Sequence, residues 1–61
     1  MELTYKELEN IKELILCHEI WYQKLNSYAS LSIDPQIKQF FMKEAQETLN
    51  TKQKLISFLN S

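Results

Sequence analysis

The segment Ser30-Leu31-Ser32-Ile33-Asp34-Pro35 is the one place where this chain carries signals that end a helix and begin another. Asp34 followed by Pro35 has the pattern of an N-cap and a first helical position. The carboxylate can accept a free backbone N–H there, and proline lacks a donor that would have no partner in any case. The sequence contains no glycine and one proline, so turn chemistry is scarce elsewhere. We therefore predict a helix at about residues 4–30, a turn at about 31–34 and a helix at about 35–59.

The first predicted helix also has a clear start. Thr4 is a good N-cap, and Glu7 three residues later completes a capping box. Both helices would be about 25 residues or roughly 40 Å long. Equal lengths and a short connection favour antiparallel packing. The predicted fold class is all-α, with one helical-hairpin domain over residues 1–61.

Apolar residues recur on both predicted helices at alternating spacings of three and four, which is the heptad pattern of packed helices. In helix 1 the main stripe consists of Leu8, Ile11, Ile15, His18, Tyr22, Leu25 and Ala29. On one flank it is widened by Leu14, Trp21 and Tyr28. In helix 2 the stripe consists of Ile37, Phe41, Glu44 or Ala45, Thr48, Thr51 or Lys52, Leu55 and Leu59.

Two helices cannot bury this much aromatic surface in a single contact. A chain of 61 residues has only a marginal core, and such chains gain stability from a disulfide, a metal or oligomerisation. The lone Cys17 excludes an internal disulfide, and one histidine without a Cys/His cluster argues against structural zinc. We therefore predict a homodimer that forms a four-helix bundle. The predicted core and interface residues are Leu14, Ile15, His18, Trp21, Tyr22, Leu25, Phe41, Thr48 and Leu55.

Leu16 and Ile20 lie on the far side of helix 1 from the main stripe. They indicate either a second buried contact or apolar residues scattered on the surface.

Polar residues interrupt the apolar stripes at mid-length. If the chain folds back at about residue 33, position i lies opposite about 66 − i, so that His18 meets Thr48, Tyr22 meets Glu44 and Ile15 meets Thr51. Such a layer is typical of polar groups that specify register and partner choice in helical bundles.

The alternative interpretation of this layer is a metal site. Di-iron bundles use inward carboxylates and Glu-x-x-His motifs, and the weak candidates here are His18, Glu19, Glu44 and Glu47. The chain has no Glu-x-x-His motif. No cofactor is predicted, and an acid–base pair of Glu44 with His18 is disfavoured because no substrate pocket is implied. We expect a protein that is not an enzyme.

Charge and hydropathy argue against two kinds of partner, nucleic acids and membranes. The net charge is −1 without a basic stripe, which argues against nucleic acid. No apolar run approaches the roughly 18–20 residues of a membrane span. The N-terminal segment lacks the pattern of a secretory signal, and a lone cysteine fits a reducing compartment. We expect a cytoplasmic protein.

The chain resembles small ferritin-like spore coat proteins of the spore coat protein F type. The likeness covers nearly the whole chain and includes segments 3–8 (LTYKEL), 24–29 (KLNSYA), 34–40 (DPQIKQF) and 55–59 (LISFL), and Ala45. The resemblance implies half of a ferritin-like bundle, with a carboxylate on helix 1 and an inward His-x-x-His on helix 2. Those positions fall at His18, Thr48 and Thr51 here, so the resemblance does not bring a metal site to this chain.

What the resemblance does imply is a small dimeric protein associated with the spore coat or with sporulation, and no catalysis. The sequence leaves three functions open. They are a structural homodimer, a metal binder with a degenerate site across the dimer, and a module whose partner is a coat protein or another helical protein.

Overall fold

The computed structural model describes residues 3–60, and they form two packed α-helices. Helix α1 spans Tyr5–Leu31 and helix α2 spans Pro35–Leu59. Glu19 contacts Lys52 and Tyr28 contacts Phe41, so the two helices run antiparallel. The described part of the chain contains no strand. The predicted all-α helical hairpin is confirmed.

The capping box forms at the start of α1. The Glu7 backbone N–H donates to the Thr4 hydroxyl at 3.1 Å, and the Thr4 N–H donates back to the Glu7 carboxylate at 3.1 Å. These bonds lower the pKa of Glu7 below its ordinary value of 4.5, with the Thr4 backbone N–H as the larger cause and its hydroxyl second. The contribution of the Glu7 carboxylate to the cap is therefore complete above about pH 4.5 and is lost as the pH falls through the folded-state pKa.

The connection between the helices needs no residue with a positive φ angle. Ser32 (φ −76°, ψ 130°) and Asp34 (φ −72°, ψ 122°) are both extended, and no residue in the described range has a positive φ. The Ser32 hydroxyl donates to the Tyr28 carbonyl at 2.7 Å and its N–H to the Ala29 carbonyl at 3.3 Å. The Asp34 carboxylate accepts from the Gln36 N–H at 2.8 Å. Side chains thus satisfy the helix ends where glycine often serves.

The core of the hairpin is thin. Within residues 3–60 only Leu25, Ala29 and Ala45 are buried. The molecule measures 46 × 15 × 11 Å, and its radius of gyration of 14.2 Å exceeds the roughly 10.5 Å of a compact domain of this length. Two helices side by side have no third element that could cover their remaining faces.

The register of the two helices corrects the expected pairing of i with 66 − i. The residue numbers of the contacting pairs Glu19–Lys52 and Tyr28–Phe41 sum to 71 and 69. These sums exceed the expected 66 by three to five residues, so the residue opposite a given position is shifted by about one helical turn. The connection contributes to this shift, since Ser32 and Asp34 are extended and separate the end of α1 from the start of α2. His18 is therefore level with the region of Lys52 and not with Thr48.

We expect Leu25→Ala to lower the free energy of unfolding by about 2–5 kcal/mol, because Leu25 is the one large side chain among the buried described residues. Urea unfolding followed by circular dichroism at a fixed protein concentration would measure the loss. Leu31→Ala is the matched control, since Leu31 is 79% exposed and its truncation should change stability by no more than about 0.5 kcal/mol. Equal losses in both variants would contradict the assignment of the core.

We expect Asp34→Ala to lower the free energy of unfolding by about 1 kcal/mol, because it removes the carboxylate that caps α2. Asp34→Asn keeps an acceptor oxygen and should retain most of that stability. The same urea titration would compare the two variants. A similar loss in both would show that the charge, and not the hydrogen bond to Gln36, makes the contribution.

Candidate functional site: the aromatic face

Four aromatic rings form a continuous chain of contacts from one helix to the other. Trp21 and Tyr28 meet edge to face with ring centroids 6.5 Å apart, and Tyr28 lies 5.4 Å from Phe41 across the helix contact. Phe41 in turn lies 5.8 Å from Phe40. These contacts place all four rings on one side of the hairpin.

Further apolar residues extend this surface along both helices. Leu14, Trp21 and Tyr28 are spaced by seven residues, as are Phe41, Thr48 and Leu55, so each set follows one stripe. Phe58 is five turns from Phe40 at the same angle around α2. We define the aromatic face by these apolar residues, which are Leu14, Trp21, Tyr28, Ile37, Phe40, Phe41, Leu55 and Phe58.

The aromatic face remains open in the single chain. Apart from half-buried Phe41 and Leu55, its members are between 41% and 58% exposed. Large aromatic side chains in one contiguous patch are unusual on the surface of a monomer and mark sites of association.

The opposite edge of the helix contact is charged. Lys52 of α2 forms an ion pair with Glu19 of α1, and the Gln23 side chain donates to the same carboxylate at 3.1 Å. Glu19 lies about 180° around α1 from Tyr28. The hydrogen bond from Lys52, and secondly that from Gln23, lowers the pKa of Glu19 below its ordinary value of 4.5. The hairpin therefore has an ion pair on one edge, where Met42 is also exposed, and the aromatic face on the other.

The polar residues at mid-length bond within their own helices. His18 Nδ1 lies 2.7 Å from the Leu14 carbonyl, which can only accept, so Nδ1 carries the proton. The hydroxyls of Thr48 and Thr51 donate to the carbonyls four residues earlier, at 2.8 and 3.1 Å. These three bonds do not join the helices.

The four weak metal candidates do not assemble into a site in one chain. Glu19 is held by Lys52 and Gln23, while His18 bonds to the Leu14 carbonyl through Nδ1 only. Over residues 3–60 no group of three or more His, Cys, Asp or Glu side chains is placed to hold a metal ion. Glu44 and Glu47 lie on α2, where their backbone carbonyls accept the threonine hydroxyls. A metal site from these residues would need side chains from two copies.

The residues predicted for the core and interface fall into three classes of burial. Leu25 is buried, whereas Leu14 and Trp21 are exposed. The half-buried members are Ile15, His18, Tyr22, Phe41, Thr48 and Leu55. The predicted set omitted Ile37, Phe40 and Phe58, although the heptad spacing from residue 37 through 44 and 51 to 58 points to this flank. Leu16 and Ile20 are exposed on the outside of α1.

Shallow depressions lie on the surface of the described residues. One is lined by Asn10, Glu13, Leu14 and the exposed Cys17, at the edge of the aromatic face. Another is lined by Asn50, Gln53, Lys54 and Ser57 on the polar side of α2. Neither lining gathers three potential metal ligands among the described residues.

Neither α1 nor α2, as described, is long and apolar enough to cross a membrane.

No protein-family model, curated protein or solved structure matches this chain. The aromatic face is therefore the feature on which a function can be argued.

We expect Glu19→Gln to lower stability at neutral pH and to have a diminishing effect under acid conditions. The wild-type carboxylate has a lowered pKa, so its contribution is present above about pH 4.5 and is lost as the pH falls through the folded-state value. Urea unfolding at several pH values between 7 and 3 would give the difference between the two proteins.

Lys52→Met provides the control, because it removes the main cause of the lowered pKa. In that background Glu19→Gln should have a much smaller pH-dependent effect. A wild-type difference that stays constant down to the lowest pH would contradict the assigned role of the Glu19–Lys52 pair.

Proposed function

We propose that this chain is a non-catalytic structural or interaction protein whose hairpin associates with a second copy to form a four-helix bundle. The observation that carries this proposal is the aromatic face, a half-exposed patch that spans both helices. Burial of apolar surface is the main favourable term in both folding and association. A hairpin with three buried residues in its described part gains little of it alone.

The surface area supports the same conclusion. The chain exposes 4928 Å², whereas a folded monomer of 7.3 kDa exposes about 4,200 Å². The excess of about 700 Å² is close to the roughly 800 Å² that each partner buries in a standard interface. Docking of one aromatic face on another would remove an area of this size from water.

The resemblance to small spore coat proteins of the spore coat protein F type supports an association with the spore coat or with sporulation. A dimer with apolar residues left on its outer surface, such as Leu16 and Ile20, suits a protein that packs among others.

We expect the emission of Trp21 to report self-association. Trp21 is the single tryptophan of the chain, and it is 49% exposed in one hairpin. Dilution should shift its emission to longer wavelength and increase quenching by acrylamide, because water regains access to the indole. Light scattering over the same dilution series should show the mass falling from that of a dimer. A monomer mass at every concentration would refute the proposal.

Two substitutions test whether the aromatic face is the surface involved. Phe40→Ser should weaken the dimer by about tenfold or more, since buried aromatic residues dominate interface energetics. Lys12→Ser, about 180° around α1 from Trp21, is the control and should leave the mass unchanged. Elemental analysis of the same wild-type sample addresses the metal-binding alternative. A stoichiometric metal content that is lost in His18→Ala would favour that alternative.

A further inference from the structure

We propose that the two hairpins pack aromatic face to aromatic face about a two-fold axis parallel to the helices, so that turn lies beside turn. In this arrangement Lys24 of each copy pairs with Glu44 of the partner subunit. The inference rests on the proposed self-association, and it adds the orientation of the dimer and the charged contact that selects it.

Lys24 and Glu44 both border the aromatic face. Lys24 lies three residues after Trp21 and four before Tyr28, which places it on the same stripe of α1. Glu44 lies three residues after Phe41 and four before Thr48, and it is half-buried. The ion pairs of the described chain join Lys12 to Glu9 and Lys52 to Glu19, and neither involves Lys24 or Glu44. Lys24 and Glu44 thus lie beside the apolar surface of each hairpin, and so do Glu47, seven residues after Phe40, and Lys54, four residues before Phe58.

The register sets these two charges at similar heights along the hairpin. Interpolation between Glu19–Lys52 and Tyr28–Phe41 places Lys24 level with about residue 46 of α2. Glu44 is then about 3 Å away along the helix axis, which is within the reach of a lysine side chain, and Glu47 lies at about the same height on the outer border of the face.

A two-fold axis along the helices keeps every residue at its own height and lays α1 of one copy against α2 of the other. Lys24 then faces Glu44 of the partner subunit, in both halves of the dimer. Tyr28 faces Phe41 of the partner subunit, and Leu14, level with about residue 58, faces Phe58 of the partner subunit. Along the whole face, charges of one copy lie beside opposite charges of the other, and apolar residues of one copy contact apolar residues of the other.

In the alternative dimer, called here the crossed arrangement, the two-fold axis is perpendicular to the helices. It brings less complementary residues of the two copies together. Tyr28, Phe40 and Phe41 cluster near the turn, and Ile37 lies in the turn of α2 that extends beyond α1. A crossed partner would present the start of α1 and the end of α2 to this cluster. Polar residues such as Glu7 and Asn10 would face the aromatic rings, and Glu44 would lie far from Lys24 of the partner subunit.

Mixing two charge-reversed variants tests the orientation. Lys24→Glu alone places four acidic groups at the two contacts, and Glu44→Lys alone places four basic groups there. Each homodimer should therefore be weakened, whereas the heterodimer restores two opposite-charge pairs. With one variant labelled with ¹⁵N, native mass spectrometry separates the three dimers. We expect the heterodimer to exceed either homodimer by about tenfold or more.

The control mixes Lys12→Glu with Glu9→Lys, which reverse single charges in the same way at an exposed ion pair of α1 about 180° and 120° around the helix from Trp21. This pair should give the mixture of random association. Random association of the Lys24→Glu and Glu44→Lys proteins as well, with dimers still present, would overturn the orientation and leave self-association intact. A wild-type protein that is monomeric throughout would overturn both.

Disulfide trapping keeps the test valid if Glu44→Lys does not fold. In a Cys17→Ser background, the Lys24→Cys protein mixed with the Glu44→Cys protein should form a covalent heterodimer on oxidation. Replacing the second protein with Lys54→Cys should abolish the cross-link. A heterodimer yield no greater with Glu44→Cys than with Lys54→Cys would refute the proposed contact.

Discussion

Two helices side by side can bury only the stripe along which they touch. In this hairpin that stripe holds Leu25, Ala29 and Ala45 as its buried residues within the described range. Two of the three are alanines, so the contact removes little apolar area from water. The larger side chains lie on the flanks, where a second helix reaches only part of each. The open aromatic face follows from this geometry.

The connection between the helices determines which flank residues meet. Ser32 and Asp34 complete the helix ends with side-chain hydrogen bonds, and the extended backbone between them carries the chain past the end of α1. The resulting register brings Tyr28 against Phe41, and it brings Glu19 against Lys52 on the other edge. One continuous aromatic network and one charged edge are the consequence. The two sides of a nearly symmetrical hairpin thereby acquire different chemistry.

Polar groups at mid-length are satisfied locally. His18, Thr48 and Thr51 each bond to a carbonyl four residues earlier in the same helix. Such bonds meet the requirement that a half-buried polar group has a partner, without imposing a register between the helices. The register brings Lys24 of α1 to about the height of Glu44 and Glu47 of α2, at the border of the apolar surface.

The sequence by itself determined the number, type and ends of the helices, since these depend on local interactions. Asp34-Pro35 marks the start of α2, Thr4 and Glu7 mark the start of α1, and the heptad spacing identifies the apolar stripes. Only the tertiary structure decided the register, because the rise of an extended connection past a helix end depends on how the helices pack. The register in turn decided that His18 and Thr48 do not meet and that Trp21, Tyr28, Phe41 and Phe40 form one network. Spacing along one helix carries no information about height on the other, which is why the layout of the aromatic face could not be predicted from sequence alone.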